Sequence, residues 1–435
     1  MRETSAVRKQ LQETPDLLTL CASEPEFFPA VLESHSYHPK TGRYSILFAA
    51  PDQIKTANTP EQLRNLLAFI DQPMHGASVD LPFDHGWFIY LSYEAAAALE
   101  SRLQDLPVHP DEPLAVAIHC QGSVVIDHET KNSFLQAVDL KTLTQIEQHM
   151  AAAHVFAAPG HLQGDLFEPD SGRFVRNIDE ALEYIKSGDI YQANLSHEWS
   201  MLGREKITPA ELYYHLSHSN PAPFAGLLQL DDFAVISSSP ERLVSLYDGV
   251  LETRPIAGTR PRAEGAEEDD RLTRELIAHP KERAEHIMLI DLQRNDLGRI
   301  SIAGSVEVDE LMVIESYQRV HHIVSNVRSK IKPGVRLFEV LQALFPGGTI
   351  TGCPKIRCME IIAELEEKPR GAYTGSFGYI NSCGNLDLNI LIRSMSLVKG
   401  KKLSMHAGAG IVYDSIAEKE LAETHHKIRA LIESL

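Results

Sequence analysis

The sequence predicts an α+β fold built on large antiparallel sheets. Two observations carry this. Strand-like apolar runs follow one another through hairpin turns such as Asp248-Gly249, and helical periods fall between groups of strands rather than after each one. A doubly wound parallel sheet would need a crossover helix for every strand.

From the N-terminus, RYSILFAA from Arg43, HGWFIYLSYEA from His85 and LAVAIHCQGSVVID from Leu114 read as strands. TPEQLRNLLAFIDQ between the first two is an amphipathic helix with Thr59 as its N-cap. A helical pattern from Lys141 runs into APGHLQGDLFEPDSG, whose Gly, Pro and Asp content makes it the expected linker. This divides the chain into an N-terminal region, 1–165, and a catalytic region, 170–435. NIDEALEYIKSGDIYQANLSHEWS is expected to be a capped helix, a turn and a strand. FAVISSSPERLVSLYDGVLETRPI follows as hairpin strands, and the segment from Glu267 to Ile300 is helical. The stretch from Gly371 to Asp414 reads as three sequential antiparallel strands, and a last helix starts near Ile416.

Composition excludes several functions. The formal net charge of −19 argues against a nucleic-acid surface, which needs clustered Lys and Arg. No run of about 18 apolar residues is present to span a membrane. MRETSAVRKQLQETPDL lacks the apolar core of a signal peptide. Five scattered cysteines show neither metal-ligand nor disulfide-framework spacing, so reduced thiols and a cytoplasmic location are expected.

Three segments carry residues with chemical potential. On the last helix Glu420, Glu423 and Lys427 share a face, as carboxylates and an ammonium able to hold a hard cation and an anionic substrate. On spacing alone, a solvated charged face is the more ordinary reading. Gly408 and Gly410, placed where a strand meets a turn, would leave backbone N–H groups free for an anion. Upstream, Glu285 lies in KERAEHIMLIDLQRNDLGR beside an apolar strip and is a second candidate oxygen ligand. Oxygen-only ligation by few carboxylates suits Mg²⁺. In LFPGGTITGCPKIR, a strand-to-helix entry with Lys355 offers another anion position, without the Gly-Lys-Ser/Thr of a phosphate loop. For the adjacent His321 and His322, packing and catalysis both remain open.

Taken in order, SPERL, TRPIAGTRPR, RAEHIMLIDLQRNDLGR, HHIVS, FPGGTITGCPKIRCMEIIAELE, GNLDLNILIRS and HAGAGIVYDS…ELAETHHK resemble the chorismate-utilising enzymes. These include the large subunits of anthranilate synthase and aminodeoxychorismate synthase, with isochorismate and salicylate synthases as relatives. The resemblance implies antiparallel sheets packed face to face with helices outside, as in anthranilate synthase component I. It implies that Glu285, Glu420 and Glu423 hold Mg²⁺, and that Arg393 and Lys427 bind substrate carboxylates with help from Tyr373, Gly408 and Gly410. His322 and Thr349 would lie near the leaving hydroxyl and ring, and Thr259 would line the pocket.

Leu32, Glu33 and Ser34, with Asn220 and Pro221, resemble the tryptophan pocket of these subunits. Ala222 and Phe224 stand where serine and tyrosine are usual, which argues against feedback inhibition by tryptophan. Ala257 stands where aminodeoxychorismate synthases typically carry a nucleophilic lysine, a feature of anthranilate synthases. GDIYQANLS, GWFIYLSYEAAAALE, the His-His pair and the short chain instead resemble aminodeoxychorismate synthase component I, which is the expected function. A catalytically inactive amino-acid sensor would be expected to lose the metal carboxylates, and all are present. No glutaminase triad is recognisable, so nitrogen is expected from free ammonia or a partner glutamine amidotransferase subunit.

Overall fold

Along the strand Phe233–Ser239 buried side chains alternate between two apolar layers, Val235 in one and Ala234 and Ile236 in the other. The strand Gly86–Leu91 does likewise: Phe88 and Tyr90 enter the first layer, Ile89 and Leu91 a third. Period-two alternation with both faces buried places these strands in sheets covered on each side. The computed structural model describes residues 6–36, 40–77, 79–157, 160, 162–317 and 320–435.

All strand pairings between these elements are antiparallel. One sheet runs, neighbour to neighbour, Gln192–Gly203, Lys402–Ile411, Ser394–Val398, Phe233–Ser239, Phe224–Gln229, Ala30–Glu33 and Tyr44–Ala57. Tyr44–Ala57 pairs along its length with Ala115–Asp127, which passes into the second sheet. That sheet continues through Gly86–Leu91, Ser376–Asn381, Leu386–Asn389, Arg242–Tyr247, Val250–Thr253 and Val320–Lys330. The strands Ile256–Pro261 and Glu307–Ser316 both pair with the last of these.

Phe48, Phe83, Phe88, Phe377 and Tyr379 fill the layer between the sheets with edge-on and tilted ring contacts. Removing one such ring, as in Phe88→Ala, would cost about 3–5 kcal/mol. Helices Leu17–Ser23, Pro209–Ser219 and Ala417–Ile432 cover the outer face of the first sheet. Helices Pro60–Ile70, Pro280–Ile300 and Leu337–Leu344 cover that of the second. The expected α+β architecture, with sheets face to face and helices outside, is the one found.

Several local expectations are corrected. Gly371 to Asp414 holds four strands, not three, in two hairpins belonging to different sheets. The helix expected from Asn177 begins at Ser171, where Asp170 accepts from Gly172 N–H; Asn177 lies within it and donates to Leu365 O. Within the expected linker, Gly164–Phe167 is a strand paired with the end of Gln192–Gly203. Ala158, Pro159 and His161 of that stretch lie outside the described residues. The helical segment after Glu267 is two helices, Ala266–Ala278 and Pro280–Ile300, because Pro280 cannot continue the first and opens the second.

The chain crosses between the sheets twice at one place. Ser239 to Arg242 passes from the first sheet to the second, and Asn389 to Ser394 returns. Ser238 N–H donates to Arg393 O at 3.1 Å and Ile390 N–H to Glu241 O at 3.0 Å, tying the crossings together. Arg393 lies in the returning crossing, and Thr349 lies beside Glu241 of the other.

Candidate active site

Arg393 sits in the returning crossing with φ +52°, a left-handed conformation that non-glycine residues adopt at a cost of roughly 1 kcal/mol. Its Nη1 donates to Asn220 Oδ1 at 3.4 Å, and burial lowers the pKa of its guanidinium. A buried guanidinium with a single neutral acceptor is poised for an anion.

Across the ladder, Thr259 and His322 are register partners, with Thr259 Oγ1 2.9 Å from His322 Nδ1. Burial, reinforced by the charge of Arg393, pushes the His322 pKa down to about 4, so the ring is neutral at physiological pH. A neutral imidazole offers one N–H and one lone pair. Its neighbour His321 is structural, its two ring nitrogens meeting Ser316 and Asp269 at 2.8 and 2.9 Å. Gly258, at φ +68°, lies where any side chain would collide with the Glu282 carboxylate, which in turn pairs with Arg260 at 2.9 Å.

Glu282 anchors the helix Pro280–Ile300 to this strand, and Leu292 of the same helix packs against Gly348. Glu282, Glu285 and Leu292 share one face by helical spacing. Half-buried Glu285 lies on this same helix face, between Glu282 and Leu292 in sequence. Thr349 Oγ1 is buried beside the Glu241 carboxyl without a hydrogen bond of ordinary geometry, and burial pushes the Glu241 pKa up to about 7. Asn194 Nδ2 donates to Thr349 O at 2.7 Å.

Asn194 is the register partner of Gly410, and Ser196 that of Gly408. Asn194 N–H is spent on Thr351 O at 2.9 Å and Ser196 N–H on Glu366 at 2.7 Å. Both pairs are therefore of the non-hydrogen-bonded kind, and the N–H groups of Gly408 and Gly410 turn to the opposite edge. Strand Ser394–Val398 pairs only as far as Met405, which leaves that edge to the helix Ala417–Ile432. The two glycines lie in the last four residues of a strand that ends at Ile411, just before the Tyr413–Asp414 turn. Close packing also requires a small residue there, since a Cβ on Gly408 would meet the Tyr373 hydroxyl at 2.7 Å. Burial raises the pKa of that hydroxyl to about 12.

Lys427 Nζ donates to Gly408 O at 2.9 Å and pairs with Glu423 at 2.6 Å. Glu420 lies one turn before Glu423 on the same face. Among the described residues, no group of three or more His, Cys, Asp or Glu closes on a point suited to a metal ion. Mg²⁺ needs no such cage, because it keeps waters and takes one or two protein carboxylates together with substrate oxygens. The hard oxygens of Glu420 and Glu423, one on a half-exposed side chain, fit that demand. Lys355 is not available for an anion: its Nζ is bound internally to Asp296 at 2.9 Å and Ala343 O at 3.1 Å.

The profile of the chorismate binding enzyme family matches residues 31–433. The chain belongs to that family. It is 40% identical over 411 residues to the anthranilate synthase component I-like protein of Synechocystis sp., covering 92% of this chain and 84% of the relative. It is 40% identical over 378 residues to aminodeoxychorismate synthase component 1 of Bacillus subtilis, covering 81% and 77%. Among solved structures, anthranilate synthase component I of Streptococcus pneumoniae superposes with a TM-score of 0.78 at 31% identity, covering 91% and 93%. No helix among the described residues is long and apolar enough to cross a membrane, and the five cysteines are free thiols.

A cavity of about 280 Å³ touches the ends of both crossings at Arg242 and Asn389 and is lined also by Leu32, Glu33, Ser34, Pro223 and Phe224. Asn220 and Pro221 are not in its wall; Asn220 faces Arg393 instead. Sequence reasoning named neither Asn194 nor Glu241 as a site residue. Both lie in quoted motifs, QANLS and SPERL, but their roles come from hydrogen bonds and packing between segments distant in sequence.

Proposed function

We propose that this chain aminates chorismate, with ammonia replacing a ring hydroxyl that departs as water, and that the product is 4-amino-4-deoxychorismate. The observation that supports chorismate as substrate is Arg393 in the returning crossing beside the Thr259–His322 pair, with Thr349 tied through Asn194 to the strand that pairs with Gly408 and Gly410, where Lys427 is bound. Amination itself is supported by the relatives named as anthranilate and aminodeoxychorismate synthases. In this reading Arg393 and Lys427 take the two substrate carboxylates, and Gly408 and Gly410 N–H groups orient one of them. Neutral His322, set by Thr259, donates its N–H to the leaving hydroxyl, while Thr349 fixes the ring. Glu285, Glu420 and Glu423 would hold Mg²⁺, which when bound supplies positive charge against a substrate carboxylate.

That relatives carry the name component 1 supports nitrogen delivery from a separate glutamine amidotransferase subunit. The Asn-Pro-Ala-Pro-Phe segment and the QANLS and SYEAAAA motifs favour aminodeoxychorismate. One observation favours anthranilate as the alternative product: Ala257, two residues from Thr259 and nearly buried, presents no amine to the ring. The cavity beside Leu32, Glu33 and Ser34 is read as the tryptophan-like pocket, without a role in feedback.

The test is to supply chorismate, Mg²⁺ and ammonium at alkaline pH, with and without a lyase that converts aminodeoxychorismate to p-aminobenzoate. Lyase-dependent p-aminobenzoate supports the first product; anthranilate fluorescence without the lyase replaces it with the second.

A further inference from the structure

Two carboxyl groups from early in the chain are buried where the proposed chemistry does not use them. Glu94 accepts from Arg370 N–H at 2.6 Å and from Gly371 N–H at 3.1 Å, and Glu112 accepts from Ala372 N–H at 3.2 Å. Three successive backbone donors therefore close on internal carboxyl groups, a concavity of the kind that elsewhere takes a bound anion. The Gly371 carbonyl is held as well, accepting from Tyr93 N–H at 2.9 Å. Gly371 has φ +59°, and any side chain on it would collide with the Glu112 carboxyl. The second oxygen of Glu112 accepts from Ser396 Oγ at 2.5 Å, so this group also ties the turn to the first sheet.

The turn carries Tyr373. Tyr373 N–H returns to Arg370 O at 3.2 Å, and Thr374, itself at φ +60°, donates its N–H to Leu391 O at 2.7 Å. The ring thus leaves the backbone one residue after the last clamped donor. It stacks on His406 at 5.3 Å and 12°, and its hydroxyl lies against Gly408. The Arg370 guanidinium is fixed separately, by Glu366 and by Asn194 O, each at 2.6 Å. What remains for Glu94 and Glu112 to set is the path of the backbone from Arg370 to Ala372.

That service is costly. Burial raises the pKa of both carboxyl groups, and for Glu94 the charge of Glu112 adds to it. A turn that needed only to be closed could use neutral acceptors or water, which avoids taking two ionisable groups out of solvent. Such costs, like the left-handed residues here, collect where the geometry they enforce is used.

We infer, on the strength of the carboxylate site proposed above at Gly408, Gly410 and Lys427, that Glu94 and Glu112 are positioning residues for that site, fixing the turn so that the Tyr373 hydroxyl stays at the Gly408 edge. They act on substrate only through Tyr373.

The test compares Tyr373→Phe, Glu94→Gln and the double variant in steady-state kinetics with chorismate, with calorimetric titration of chorismate and thermal melting beside them. Both oxygens of Glu94 meet N–H donors, so an amide cannot serve both. The expected result is a KM for chorismate raised about tenfold in each single variant, with kcat within about threefold of wild type. The double variant should stay within about twofold of Tyr373→Phe, because the glutamate has nothing left to position. Effects on KM that multiply in the double variant, or a Glu94→Gln protein of unchanged KM, overturn the inference and leave the carboxylate site standing. A Tyr373→Phe protein with wild-type KM and affinity removes the tyrosine from that site and overturns both. Should Glu94→Gln fail to fold, Glu112→Ala alone and with Tyr373→Phe supplies the same comparison.

Discussion

His322 and Thr259 face each other across an antiparallel ladder, with the imidazole Nδ1 2.9 Å from the threonine hydroxyl. The contact fixes the orientation of a ring that burial has already made neutral. Losing the hydroxyl leaves a buried ring nitrogen without its partner, at a cost of about 1–3 kcal/mol. Thr259→Val is therefore expected to lower kcat by about 10- to 100-fold with little change in chorismate affinity. Steady-state kinetics beside a binding titration checks this; an unchanged kcat removes the pair from the chemistry.

Arg393 presents a fork of donors from a strained backbone position. A lysine retains charge but not the two-pronged geometry that matches a carboxylate. Arg393→Lys is expected to raise the KM for chorismate about tenfold or more while the protein melts as before. An unaltered KM would place the substrate carboxylates elsewhere.

Glu423 is a half-exposed carboxylate paired with Lys427, and its removal should leave the fold intact. Glu423→Gln is expected to abolish turnover and the Mg²⁺ dependence of chorismate binding. Retained activity would take this residue out of the proposed metal site.

Buried titratable groups give the stability a pH dependence of known sign. Burial raises the Glu94 pKa from its ordinary 4.5 to about 8, against N–H groups donated by Arg370 and Gly371 at 2.6 and 3.1 Å. The native state then holds a proton that the unfolded chain gives up, so this stability is full below about 4.5 and is lost as pH rises through about 8. Glu94→Gln should flatten the fall in melting temperature between pH of about 5 and 8. His286, His322 and His406, each lowered to about 4 from an ordinary 6.5, act oppositely: the unfolded chain gains protons first, and stability falls as pH drops from about 6.5 to 4. A wild-type melting profile without loss on the acid side would contradict this.

Local signals were legible where local physics decides. Thr59 caps its helix by accepting from Gln62 N–H, and Asp248-Gly249 turns a hairpin, both as read from residue type alone. Spacing placed Glu420, Glu423 and Lys427 on one helix face, but only the ordered motifs, not the spacing, suggested metal ligands rather than solvated charge. What spacing could not reveal was long-range. Lys355 is neutralised by Asp296, and the backbone of Gly408, near the end of its strand, meets the lysine of a helix formed later in the chain. The two crossings that assemble the site join segments about 150 residues apart, and no local pattern encodes that contact.

The central claim is that this site couples Mg²⁺-bound chorismate to ammonia. It is tested most directly by following chorismate loss in the purified protein with Mg²⁺ and ammonium each present or omitted. The expected result is saturable consumption that requires both. Consumption that proceeds at the same rate without ammonium would show that water is the nucleophile and would contradict amination.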